Sequence, residues 1–130
     1  MGFGRLLNSL SFGKAQEAKA ARYLHSKGLR LLCKNYHCRY GEIDLIMADS
    51  GVLVFVEVRF RRQARYGSAV ASVTAGKQRK IRLAAAHYLQ RHPQLMHNPC
   101  RFDVIGMSLD AEQDSKTPKL HFDWIKNAFA

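Results

Sequence analysis

Acidic side chains are scarce in this chain: 10 Asp and Glu stand against 21 Lys and Arg, a formal net charge of +11 with a pI near 10.0. Such an imbalance does not choose a fold. It chooses partners, with nucleic acid first and an anionic membrane surface next. Long hydrophobic runs are missing too, and none approaches the roughly 18 residues that a spanning helix needs, so no membrane partner is expected. The stretch MGFGRLLNSLSFG has neither the sustained apolar core nor the small-residue cleavage site of a secretory signal. Leu6 also stands where a myristoylation signal wants Ser or Thr. These absences lead us to expect a cytoplasmic protein. Cysteine is limited to three, an odd number that makes no disulfide framework. Cys33, His37 and Cys38, and separately His97 with Cys100, lack the spacing of a zinc knuckle, so reduced, partly buried thiols are expected.

What is present fits one folded domain. The chain has 130 residues, of which 47% are hydrophobic and 24% charged, enough to bury roughly two-thirds of the unfolded surface around one core. Residues 1–13 read as a flexible N-terminal segment and 14–130 as a single domain. Lys14–Lys27 is alanine-rich with straight-chain charges, a good helix former, and Gly28 follows at the position of a C-terminal cap. Leu29–Cys33 reads as a strand, followed by a polar and aromatic stretch to Tyr40. Gly41–Ala48 alternates, with Glu42, Asp44 and Ile46 on one face and Ile43, Leu45 and Met47 on the other. The turn signal Asp49-Ser50-Gly51 then leads into an apolar strand, Val52–Phe60. Thr74 is a fitting cap for a second helix to about Arg91, and Arg101–Leu109 and Leu120–Ile125 read as the last strands. The expected order is α-β-β-β-α-β-β, an α/β fold with a mixed sheet flanked by helices.

The apolar run LVFVEVRFRR, Leu53–Arg62, carries a carboxylate at Glu57 and a cation at Arg59. An ionised group in a core costs several kcal/mol unless it is paired or binds a metal, roughly what a small domain can spare. If Ser50-Gly51 is a two-residue turn, Asp44 falls across from Glu57 and Glu42 across from Arg59, all on one face; a three-residue Asp-Ser-Gly loop with a bulge would break this pairing. Two carboxylates so close repel each other, which a divalent cation between them would relieve; oxygen ligands suit Mg²⁺ or Mn²⁺. A charge network among Glu42, Glu57 and Arg59 on a solvated face explains the same spacing. Lys77, Arg79, Lys80 and Arg82 crowd the start of the second helix, where cations oppose the helix dipole unless an anion binds nearby. Lys77 shares the stripe of Ile81, Ala84 and Tyr88, which aims its amine at the sheet. Glu17 shares a face with Ala20, Ala21 and Leu24; it brings a third carboxylate inward if the helix packs over that face, whereas an exposed helix glutamate is the more frequent outcome. Arg59, Arg61, Arg62 and Arg65, interleaved with Phe60 and Tyr66, form a basic loop suited to phosphates.

Asp44 in GEIDLI, Glu57 in VFVEVR and the upstream Glu17 resemble the D…(D/E)xK pattern of restriction-endonuclease-like nucleases. Gln16-Glu17, GEIDLI, FVEVRFR, Tyr66-Gly67, Lys77-Gln78-Arg79-Lys80 and Arg101-Phe102-Asp103-Val104 together resemble the YraN family, predicted endonucleases related to archaeal Holliday-junction resolvases. The resemblance implies a restriction-endonuclease-like fold and a Mg²⁺ site of Asp44 and Glu57, joined by Glu17. It implies catalytic roles for Asp44, Glu57, Arg59 and Lys77, and DNA, including branched DNA, as substrate. Arg61, Arg62, Arg65, Lys77, Arg79 and Lys80 would grip the backbone, and the resolvase analogy adds a homodimer. The pattern's lysine is Arg59 here, which stays protonated and cannot act as a base. Two rivals keep the same residues: a nucleic-acid-binding module without cleavage, and a basic protein that docks on an acidic partner. Sequence alone does not choose DNA over RNA.

Overall fold

The structure, a computed structural model, describes residues 2–61, 68–110 and 119–130, with backbone alone for 2–11 and 110. Its elements follow the expected order: α1 (Gly2–Ser26), β1 (Arg30–Cys38), β2 (Gly41–Asp49), β3 (Val52–Arg61), α2 (Ala75–Arg91), β4 (Cys100–Asp110) and β5 (Lys119–Phe129). The strands form one mixed sheet in the order β1-β2-β3-β4-β5. β3 and β4 are parallel, joined through α2, and every other pair is antiparallel. A parallel neighbour needs a crossover, and the helical segment after β3 supplies it.

Both faces of the sheet are covered. On one, Ala20, Ala21 and Leu24 of α1 pack with Leu45, Met47, Val54, Val56, Ile105 and Met107. On the other, Ile81, Ala84, Ala85 and Tyr88 of α2 pack with Ile43, Ile46, Leu53, Phe55 and Val104. Burial on two sides explains why β3 reads as an almost continuous apolar run. Each fully buried aliphatic or aromatic side chain there contributes roughly 1.5–3 kcal/mol.

Several boundaries differ from the expected ones. α1 begins at Gly2 rather than Lys14, since no proline interrupts residues 2–13. It closes after Ser26 with two reversed hydrogen bonds, Gly28 N to His25 O and Leu29 N to Leu24 O, the paired cap that a glycine at this position allows. β1 continues to Cys38 because the polar stretch after Cys33 pairs with β2, from Lys34↔Leu45 to Cys38↔Gly41. As a sheet edge it has no fully buried residue, so its hydrophobic signal is faint. β5 likewise extends to Phe129. Thr74 caps α2 as expected, its hydroxyl accepting from Lys77 N. Among the described residues no helix is long and apolar enough to cross a membrane.

Candidate functional site

β2 and β3 leave their turn as a regular ladder. Asp49 pairs with Val52, and Ser50 and Gly51 both have positive φ, 49° and 88°, the backbone of the two-residue turn that matches strand twist. Pairing continues to Leu45↔Val56, with each residue opposite the expected one. There the ladder stops, and the Val58 amide donates to Asp44 Oδ2 at 2.8 Å, so a side chain takes a hydrogen bond that a continuing ladder would give to the backbone. The opposition of Asp44 to Glu57 and of Glu42 to Arg59 thus falls past the last paired residues. Glu42 instead faces His37 of β1 and pairs with its Nδ1 at 3.3 Å.

The expected alternation of β2 also needs correcting. Ile43 and Ile46 both belong to the core under α2, whereas Leu45 and Met47 belong to the core under α1, so the strand turns over at Asp44. Asn35 accounts for this. It lies on β1 between Lys34 and Tyr36, the partners of Leu45 and Ile43, and its φ of 50° is left-handed, a conformation that asparagine tolerates better than most residues. The turnover places the Asp44 carboxylate within reach of both helices.

Three carboxylates meet there. Glu57 of β3 is only 5% exposed and is held by two cations, Arg59 at 3.3 Å and Lys77 Nζ at 3.7 Å. Burial, and then the negative Asp44, push its pKa up to about 7, against the pull of Lys77 and Arg59. Burial also raises Asp44, opposed by the Val58 amide and by Lys77 and Arg59. Glu17 enters from α1, and its pKa too is pushed up to about 7, by burial first and the charge of Asp44 second, while a hydrogen bond from Asn35 opposes the rise. Its Oε2 is buried without a hydrogen-bond partner, as is Nε of Arg59. Three crowded carboxyls of this kind share their protons as one unit and carry fewer than three charges near neutral pH.

Among the described residues no three His, Cys, Asp or Glu side chains already form a metal cage. Mg²⁺ asks for less, since it keeps several waters and is commonly held by one or two carboxylates. The donor set fits: hard oxygens with heightened proton affinity, one of them buried and orphaned. Asp44 and Glu57, with Glu17 beside them, are the residues that would hold such an ion.

The remaining expected residues are more dispersed. Lys77 does aim at the sheet, while Arg79 and Lys80 are exposed on α2. Arg61 continues the Glu57–Arg59 row and lines a cleft with Ser108, His121 and Asp123. Arg62 and Arg65 lie outside the described residues. Sequence reasoning missed Asn35, whose signal was an asparagine amid strand formers. It also passed over the role of Arg101 and Asp103. Asp103 is fully buried and accepts from Arg101 Nε, Trp124 Nε1 and Asn127 N, and Arg101 also reaches Asp49 at 2.9 Å. This network ties β5 and the β2–β3 turn to β4.

A mixed sheet with a helix on either face, and carboxylates gathered where two strands part, defines an α/β protein consistent with the restriction-endonuclease-like architecture. The chain belongs to the Uncharacterised protein family UPF0102, which it matches over residues 16–107, in agreement with the likeness to the YraN family. It is similar to a UPF0102 protein of Alcanivorax borkumensis, 49% identical over 117 residues that cover 90% of each chain. A UPF0102 protein of Nitrosococcus oceani is 47% identical with the same coverage. One of Psychromonas ingrahamii is 48% identical over 127 residues, 96% of this chain and 95% of the relative. The matched span contains Glu17, Asp44, Glu57, Arg59 and Lys77.

Proposed function

We propose that the protein is a metal-dependent endonuclease that hydrolyses phosphodiester bonds in DNA, with branched or junction DNA among its substrates. The observation that carries this reading is the convergence of Glu17, Asp44 and Glu57 with Arg59 and Lys77 at the point where β2 and β3 separate. A stable core has no use for such a cluster: buried like charges raise one another's pKa, and strongly perturbed groups gather at working sites.

A Mg²⁺ or Mn²⁺ ion held by Asp44 and Glu57 would supply a water of lowered pKa and positive charge at the scissile phosphate. The chain does the rest by positioning. The Val58 amide fixes the Asp44 carboxylate, and Glu17 adds a third oxygen donor from α1. Arg59 offers the planar fork of donors that fits a phosphate, so its part is to hold a phosphate oxygen as negative charge builds there. Lys77 supplies from α2 the amine that the strand position of Arg59 lacks. Arg61, Arg79 and Lys80, with Arg62 and Arg65, would neutralise neighbouring phosphates without reading sequence. A cytoplasmic location and a homodimer on a twofold junction go with this reading.

The test compares the native protein with an Asp44→Ala/Glu57→Ala double variant on single-stranded, duplex and four-way-junction DNA, each in Mg²⁺, Mn²⁺ and chelator. Metal-dependent cleavage by the native protein alone is the expected result. Arg59 in the place of the pattern's lysine favours a second reading, a binding module that keeps the fold without cutting. Equal binding by both proteins and cleavage by neither would establish that one.

A further inference from the structure

Arg39 and Tyr40 form the loop between β1 and β2, and both are exposed. The Arg39 guanidinium lies over the Tyr40 ring, 4.8 Å from its centroid, and donates to the phenol oxygen. The His87 ring of α2 stands edge-on to the same tyrosine at 6.1 Å and is itself held by the Tyr36 hydroxyl. The loop is pinned from behind. A Cβ on Gly41 would meet Lys80 Cβ at 3.2 Å, so the hairpin tip sits closer to the helix than a larger residue would let it. A cavity of about 320 Å³ opens beside Gly41 at the base of this tip, and its walls also include His37, Glu42, Lys77 and Lys80. Lys77 is also the cation that reaches Glu57.

A guanidinium held over an exposed aromatic ring, beside a cavity with two lysines, has the chemistry of a nucleotide subsite. The lysines suit the phosphate, and the guanidinium–phenol pair suits the flat face of a base. A paired base presents only its edges, because both faces are already stacked within the duplex. We propose that the β1–β2 tip is a stacking platform for an unpaired nucleobase, so that the substrate strand is single-stranded beside the carboxylate cluster. The inference rests on the proposed action on DNA and narrows it to strands with frayed, flapped or unpaired nucleotides.

The test is a binding measurement in chelator, where nothing is cut. A single-stranded oligothymidylate carrying one 2-aminopurine is compared with a blunt duplex carrying the same label, against the native protein, Tyr40→Ala, Tyr40→Phe and Lys80→Gln. Native protein should quench the single-stranded label and not the duplex one. Tyr40→Ala should abolish the quenching and weaken single-strand binding about tenfold, with duplex affinity unchanged. Tyr40→Phe should restore the quenching, and Lys80→Gln should weaken both substrates alike. Unaltered quenching in Tyr40→Ala, or an equal loss on both substrates, overturns the platform. The cleavage assay in Mg²⁺ is read separately. Quenching without cleavage refutes the nuclease and leaves the platform standing, whereas cleavage with no stacking signal refutes the platform alone.

Discussion

Glu57 touches two cations and still has a pKa near 7, because burial and the neighbouring Asp44 outweigh Lys77 and Arg59. A carboxyl whose folded pKa lies above its unfolded value stabilises the fold fully below the unfolded value and loses that contribution as pH rises through the folded one. For Glu17 and Glu57 the window runs from the ordinary glutamate value of 4.5 to about 7. The metal-free protein should therefore melt lower at pH 8 than at pH 5. Mg²⁺ should restore more at pH 8 than at pH 5, and a Glu17→Gln/Glu57→Gln variant should flatten both responses in thermal scans. Lys77 separates binding from chemistry. Lys77→Met removes a positive charge beside the carboxylates, so Mg²⁺ should bind at least as tightly by calorimetry. Cleavage should nevertheless fall by about 100-fold or more through loss of the positioned amine.

The β2–β3 hairpin is the element in which sequence and structure agree most closely. The sequence allows a two-residue Ser50-Gly51 turn or a three-residue loop with a bulge; the structure has the first, and every pair from Asp49↔Val52 to Leu45↔Val56 then follows from counting. Ser50 is the weaker half of that turn: Ser50→Asn should raise stability by about 0.5 kcal/mol, because asparagine accepts positive φ more readily, and urea denaturation would show it as a higher midpoint with an unchanged slope. The inward aim of Lys77 was legible from helical spacing alone. The turnover at Asp44 was not, because it comes from Asn35 on a neighbouring strand, and no period within β2 records its neighbour's backbone. The Asp103 clamp was hidden for the same reason, since its partners Trp124 and Asn127 belong to β5. Asp103→Ala would leave three donors without their acceptor, at a cost of about 3 kcal/mol or more. Asp103→Asn, which keeps one carbonyl oxygen, should cost less in the same titration.

Across the whole molecule the formal charge of +11 makes association with DNA a matter of releasing counterions. About six phosphate contacts predict that log K falls against log salt with a slope near −5. A nearly flat slope, measured by fluorescence anisotropy, would point instead to an acidic protein partner. The fold also sets the order in which its charges meet. Asp44 and Glu57 lie on one hairpin, whose short turn closes on the microsecond scale. Lys77 arrives only after α2 has crossed over the sheet, a contact distant in sequence and slow to form. The nascent hairpin thus faces its own carboxylate repulsion before that lysine is in place. Neutralising Glu57, whose carboxyl is pushed up to about 7, by lowering the pH from 8 to 5 should quicken the refolding arm of a chevron, whereas Lys77→Met should act mainly on the unfolding arm.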